Sequence, residues 1–191
     1  MMQMRFVALA LVVLAACGYR IAGTASNVPP AARTVSVRFR NHTREPGLDV
    51  HLRRAIEDEI RRRGTVQVVD DGGDLTLDGD IRRFATIPVA FSAADEAVQY
   101  QGIMQVHFRL VERATGHVVF EQPLLQETQD FGAVGGVVIA TSPHFQRGTM
   151  DARDLASLTN VQIGEARRHD AQRDLILTLA RDIYQQAMEG F

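Results

Sequence analysis

Residues 98–128 read VQYQGIMQVHFRLVERATGHVVFEQPLLQET. Val98, Tyr100, Gly102, Met104, Val106, Phe108 and Leu110 fall on every second position, while Gln101, Gln105, His107 and Arg109 lie among the residues between them. A period of two over Val98–Glu112 is the mark of a strand with one face buried and one wet. Arg113-Ala114-Thr115-Gly116 then offers a tight turn with a glycine, and Val118–Thr128 resumes an extended pattern. Two such runs around a short turn form a β-hairpin, so an antiparallel sheet stands at the centre of the fold.

Working upstream, Asp74–Ile81 alternates again, with Leu75, Leu77, Gly79 and Ile81 in phase, and predicts a third strand. Ile87–Ala94 reads as irregular, because Pro88 has no N–H to give to a ladder. Val66–Val69 predicts a short strand, followed by the turn Asp70–Gly73. That turn is acidic and glycine-rich, but it lacks the spaced acids and closing Glu of a calcium loop. Leu48–Arg63 predicts a helix, with Leu48, Leu52, Ile56 and Ile60 forming one stripe. Its acids come early, Arg61-Arg62-Arg63 come late and Gly64 follows, an order that suits the helix dipole and a glycine stop. Thr34–Phe39 predicts the first strand, after a proline-containing leader at Asn27–Ala32.

Downstream the pattern weakens. The stretch 130–164 contains Ala133–Ala140 (AVGGVVIA), which is apolar and rich in glycine and fits a loop, a partner contact or a last strand. It matches no phosphate-binding glycine motif. From about Val161 to Met188 a long helix is expected, with Leu175, Leu179 and Ile183 in step. The element order predicts an α+β fold. It is a two-layer sandwich, a mostly antiparallel sheet of four to five strands with two helices packed on one face.

The 191 residues suffice for one domain. Net charge is −2, with 21 Arg and no Lys, so no basic field marks the chain for nucleic acid. The six histidines include no HExxH and no i, i+4 pair on a helix. His107 and His117 flank the hairpin and fit a surface or cross-strand pair better than a metal site. No serine sits in GxSxG or SxxK, and the carboxylates form no recognisable acid–base pair. The residues therefore point to a structural or binding role, with no catalytic set, cofactor or metal.

The single cysteine, Cys17, excludes an internal disulfide. It closes a leader in which a short start with Arg5 precedes the apolar run Phe6–Leu14 and then Ala15-Ala16. This is the layout of an export signal, and the run is well short of the roughly 20 residues that span a membrane. Leu14-Ala15-Ala16-Cys17 resembles the bacterial lipobox, which implies cleavage after residue 16 and acylation of Cys17. Two or more acyl chains hold a protein stably at a membrane, each buried methylene adding about 0.8 kcal/mol. Gly18 stands where an Asp commonly retains such proteins in the inner membrane, so the expected site is the outer membrane, on its periplasmic side.

From Cys17 onward the chain resembles the LptE family of lipopolysaccharide-assembly lipoproteins. The likeness starts at Cys17-Gly18-Tyr19-Arg20-Ile21-Ala22-Gly23. It continues through Val35–Thr43 and Pro46-Gly47-Leu48, then Arg63–Val69 and Leu75–Gly79. Tyr100-Gln101, Met104-Gln105-Val106 and the C-terminal helix complete it, over about residues 17–129 and 165–191. The resemblance implies a single periplasmic domain, 17–191, interrupted by the glycine-rich stretch near 130–160. It further implies a plug and assembly factor for an LptD-type outer-membrane β-barrel that inserts lipopolysaccharide, and direct binding of lipopolysaccharide through basic residues. Some relatives carry a basic residue in the loop before the Tyr-Gln strand, but here that loop is Ser92-Ala93-Ala94-Asp95-Glu96. No contact residue transfers on that basis, and Arg82 and Arg83 are the available phosphate partners. An alternative is another outer-membrane lipoprotein, a pilotin for a secretin or a cell-wall binder, and a lipid-anchored enzyme is a third.

Overall fold

The computed structural model describes residues 26–93, 97–132 and 152–190, without the side chains of 152–163. Among these residues the elements run β1 (Thr34–Asn41), α1 (Leu48–Arg63), β2 (Gln67–Val68), β3 (Leu75–Phe91), β4 (Ala97–Glu112), β5 (Val118–Gly132) and α2 (Ala152–Tyr184), with a π-helical turn at Gln185–Glu189. The strands form one sheet in the order β2-β1-β3-β4-β5. β3, β4 and β5 pair antiparallel, as the hairpin pattern requires. β1 runs parallel to both of its neighbours, because α1 carries the chain back across the sheet between β1 and β2. β2 therefore pairs outside β1 rather than beside β3, its neighbour in sequence.

Both helices lie on one face, so the α+β two-layer reading holds. Leu48, Leu52, Ile56 and Ile60 are fully buried, as their spacing demands, and meet Val35, Val37, Leu77, Ile81, Val106, Phe108 and Leu110 from the sheet. From α2 come Leu175, Leu179, Ile183 and Tyr184. Two glycines make room for this packing. A Cβ built on Gly79 would lie 2.7 Å from Cζ and 2.8 Å from Cδ1 of Phe39, whose ring covers it, and closer still to Cε1. One built on Gly102 would stand 3.0 Å from Cδ1 of Leu175.

α1 ends where its sequence says it should. Gly64 adopts φ 69° and donates its N–H to the carbonyl of Ile60 at 2.9 Å. The arginine triplet is occupied within the fold. Arg61 pairs with Glu57 and Asp58, Arg62 with Glu59, and Arg63 with Glu59 and Glu189. Glu59 is 2% exposed, a burial these two guanidiniums compensate. Arg63 also stands 5.4 Å over the ring of Tyr184, whose hydroxyl bonds to Thr65.

Two expectations are corrected. Strand 3 does not stop at Ile81 but continues to Phe91, so Ile87–Phe91 is strand rather than irregular chain. A bulge between Ile81 and Arg83 adds one residue, which shifts the inward phase from Leu75-Leu77-Gly79-Ile81 to Phe84 opposite Met104. Pro88 is accommodated opposite Tyr100 beside a second irregularity, before Ala90. The C-terminal helix begins earlier than Val161, at Ala152, and its last turn widens to a π turn. The signal segment, Cys17 and residues 133–151 of the glycine-rich stretch lie outside the described residues.

Candidate partner-binding surface

The sheet face opposite the helices carries the charged residues that alternate with the core positions of β1, β4 and the first half of β3. Arg38, Asp78 and Arg109 stand in one row, with Arg109 paired in register to Glu121. Arg40, Asp80 and His107 stand in the next. Opposite charges alternate across β1, β3 and β4, the arrangement that stabilises adjacent strands. Asp80 is the hub. It accepts hydrogen bonds from Arg40 Nε at 2.8 Å and Arg40 Nη2 at 3.3 Å, and His42 Nε2 lies 3.1 Å away. His107 Nδ1 is 3.5 Å from Asp80, and its Nε2 is 3.0 Å from Glu121 Oε1. Burial pushes the Asp80 carboxyl up, but the hydrogen bonds from His42 and Arg40 outweigh it and hold the group below the ordinary carboxylate range. His107 thus packs between two carboxylates of the sheet, while His117 stands opposite Glu112, so the two histidines do not form the expected cross-strand pair.

The acidic turn is likewise absorbed locally. Asp71 accepts the Gly72 N–H at 2.8 Å and pairs with Arg38, which lowers its pKa. Asp74 accepts from the backbone of Arg33 and Thr34 and from the Thr34 hydroxyl, with the same effect. Among the described residues no group of three or more His, Cys, Asp or Glu side chains is placed to hold a metal ion.

Beyond Asn41 opposite Ile81, β1 ends and the sheet narrows to an arm built from residues 82–91 of β3 with β4 and β5. Ten residues of strand extend about 33 Å. Arg82 and Arg83 stand at the base of this arm. Consecutive strand residues normally point to opposite faces, but the bulge exposes both. Arg83 pairs in register with Gln105, whose amide donates to Gln126 at 2.7 Å. Ile87, Val89, Phe91 and Val98 are exposed toward the end of the arm, Phe91 by 58%. Tyr100 and Phe131 stack beside them, with ring centroids 5.7 Å apart. The apolar end has no counterpart among the sequence expectations, because a proline at position 88 makes Ile87–Ala94 look irregular.

At the opposite end of the sheet the N-terminal segment is tied to the π turn. The Asn27 N–H donates to the Met188 carbonyl at 3.0 Å, Asn27 Nδ2 to the Gln186 carbonyl at 2.9 Å, and the Ser26 hydroxyl to Met188 at 3.1 Å. The described chain therefore starts at the end farthest from the arm.

This fold and surface define a two-layer α+β domain with an ion-paired sheet face and a projecting, partly apolar hairpin. The chain belongs to the LptE family, described as lipopolysaccharide-assembly, whose model matches residues 32–187. Among solved structures it is similar to a lipoprotein from Caulobacter crescentus, at 15% identity over 77% of this chain and 83% of that one, with a TM-score of 0.46. It is similar to lipoprotein B from Nitrosomonas europaea, at 14% identity over 88% and 91%, with a TM-score of 0.45. A third is rare lipoprotein B from Shewanella oneidensis, at 15% identity over 81% and 99%, with a TM-score of 0.38. At these values the likenesses carry no functional argument. No curated protein matches the sequence.

Proposed function

We propose that this protein is an outer-membrane lipoprotein that associates with an LptD-type β-barrel and supports its assembly and the insertion of lipopolysaccharide into the outer leaflet. Residues 1–16 are the signal removed on export, and Cys17 carries the acyl chains. The remainder, 17–191, works as one periplasmic unit. The observation that carries this reading is the family match over residues 32–187, which spans every strand and both helices. The arm supports it chemically. Two exposed guanidiniums at the base of an arm whose end is apolar suit a phosphorylated amphiphile long enough to reach both, since the planar Arg fork binds phosphate in a bidentate manner. Arg82 and Arg83 are accordingly the proposed lipopolysaccharide phosphate contacts.

Crosslinking and pull-down of the tagged, lipidated protein from native outer membranes tests the partner. A large β-barrel is expected to be recovered with it. Recovery of the lipidated protein without any barrel overturns the reading. The Arg82→Gln, Arg83→Gln double variant should keep its melting temperature and lose affinity for purified lipopolysaccharide.

A further inference from the structure

The base of the arm carries more positive charge than the fold uses. β1 stops at Asn41, opposite Ile81, and the next N–H, that of His42, still donates to the Ile81 carbonyl at 3.0 Å. The chain then turns away at once. Asn41 Oδ1 accepts from the Thr43 N–H at 2.9 Å and from the Thr43 hydroxyl at 2.8 Å, and Asn41 Nδ2 donates to the Glu45 carbonyl at 2.6 Å. These bonds fix a compact turn that closes β1 at the level where β3 bulges at Arg82. Arg44 is exposed on that turn, and Arg82 and Arg83 are exposed on the strand beside it.

The acids at this level are already engaged. On the β1–β3 side Arg40, Arg44, Arg82 and Arg83 meet two carboxylates, Asp80 and Glu45. Asp80 is taken by Arg40 and His42. Glu45 is taken by Arg168 of α2 at 2.8 Å, whose other nitrogen holds Glu165 at 3.2 Å. Across the sheet Glu121 is held by His107, and Glu127 faces Asp182 beneath, on the helix side. Arg44, Arg82 and Arg83 make no hydrogen bond or ion pair among the described residues. Arg33 and Arg54 are likewise unpaired but stand apart, one before β1 and one on α1. The arm base is where free guanidiniums gather.

We infer that Arg44 completes a three-guanidinium site with Arg82 and Arg83, and that this site takes a ligand carrying two phosphate groups. It is the site already assigned to lipopolysaccharide phosphate, and the source of the phosphates rests on that reading. A guanidinium that grips phosphate in its bidentate manner uses two donors, and one phosphate offers three acceptor oxygens. Three such forks exceed one phosphate and match two. Arg44 and Arg82 flank the edge that β1 leaves open, while Arg83 stands on the face opposite Gln105. The first two hold one phosphate, and Arg83 holds the second. An acidic peptide matches less well: carboxylates on one face of an extended chain recur about every 6.6 Å and carry one charge each, against up to two on a phosphate. The exposed apolar end of the arm gives the lipid part of such a ligand a place further along the same strands.

The test uses the full chain as the non-lipidated Cys17→Ser protein in isothermal titration calorimetry. The probes are purified lipopolysaccharide, inorganic tripolyphosphate and inorganic phosphate, with oligoglutamate as competitor. Arg44→Gln should raise the Kd for lipopolysaccharide and for tripolyphosphate about tenfold, which is about 1.4 kcal/mol. It should keep the melting temperature, because this side chain forms no hydrogen bond or ion pair in the fold. Tripolyphosphate should bind at least about tenfold more tightly than phosphate, and Arg54→Gln should leave every affinity unaltered. An unchanged Kd in Arg44→Gln, beside a raised one in the Arg82→Gln, Arg83→Gln variant, overturns the inference and leaves the reading of the two arm arginines standing. Tripolyphosphate bound through all three arginines, with no binding of lipopolysaccharide, upholds the two-phosphate site and overturns its lipopolysaccharide source. No binding of either probe overturns both. Displacement of lipopolysaccharide by oligoglutamate at equal charge concentration overturns the inference in favour of an acidic protein partner.

Discussion

Gly79→Ala is the most direct test of how the two layers are keyed together. Adding one methyl normally stabilises a strand glycine by about 0.5–1 kcal/mol, because Ala has less freedom to lose. Here the new carbon would stand 2.7 Å and 2.8 Å from two ring carbons of Phe39. Phe39 is 8% exposed and belongs to the core, so its ring has to displace neighbours or give up burial. Overpacking of this kind costs about 1–3 kcal/mol. The net loss should be roughly 1–2 kcal/mol, which for a chain of this size lowers the melting temperature by about 2–8 °C. The sign should depend on Phe39. In a Phe39→Ala background, itself about 3–5 kcal/mol less stable, the ring is gone and Gly79→Ala should become neutral or stabilising. A double-mutant cycle by urea denaturation, followed by circular dichroism, should therefore return a coupling of about 1–3 kcal/mol. An additive cycle, or a Gly79→Ala variant as stable as the parent, would refute the argument that Phe39 occupies the space of the missing side chain.

The other expectations are shorter. Glu127, on the helix-facing side of β5, is pushed above its ordinary value of 4.5 by burial and by the neighbouring Asp182 carboxyl group. The folded state then holds that proton over a range where the unfolded chain has released it. Stability should fall as pH rises from about 4.5 through the raised folded value, and Glu127→Gln should flatten that slope in melts between pH 4 and 7. Asp80 behaves oppositely, since its lowered pKa adds stability above the unfolded value that is lost on acidification. Asp80→Asn should cost about 1 kcal/mol at neutral pH, discounted for the exposure of its partners, and should reduce the acid sensitivity of chemical denaturation. Tyr184→Phe removes the hydroxyl bonded to Thr65 and should cost about 0.5–1.5 kcal/mol, with the secondary structure unchanged by circular dichroism. Cys17→Ser should abolish acylation, read by mass spectrometry, and move the protein from the membrane to the soluble fraction; a variant still in the membrane fraction would separate membrane association from the lipid.

Elements with a clean period were legible in the sequence, and those whose period changed partway were not. The helix Leu48–Arg63 was readable to the residue, because an apolar stripe, a charge gradient and a closing glycine all mark the same limits. β4 was readable to within one residue for a similar reason, its alternation running unbroken from Val98 to Leu110. β3 was readable only up to Ile81. The added residue at the bulge reverses which positions face inward, so a continuous strand looks like a strand followed by noise. Pro88 reinforced that error, since a proline within a paired strand needs an irregularity beside it and no local signal announces one. The parallel placement of β2 outside β1 was also illegible, because it depends on where α1 lays the chain down and not on the two residues of β2 themselves.

The same bulge links the strand beyond Ile81 to the two arginines at the base of the arm. Arg82 and Arg83 are consecutive, and both reach solvent. In a regular strand one of them would turn toward the helices, where a guanidinium would need a partner or displace a core side chain. The extra residue removes that conflict: Arg83 joins the open face opposite Gln105, Phe84 takes the inward position opposite Met104, and Arg82 is left at the unpaired step between them. Exposing the two arginines and prolonging β3 into the arm are therefore one structural event. Deleting Arg82 should test that identity: it would remove the bulge and leave Arg83 opposite Gln105 and Phe84 opposite Met104, so the arm should persist with a single exposed arginine at its base, and loss of the arm on that deletion would overturn the account of Arg82 as the added residue.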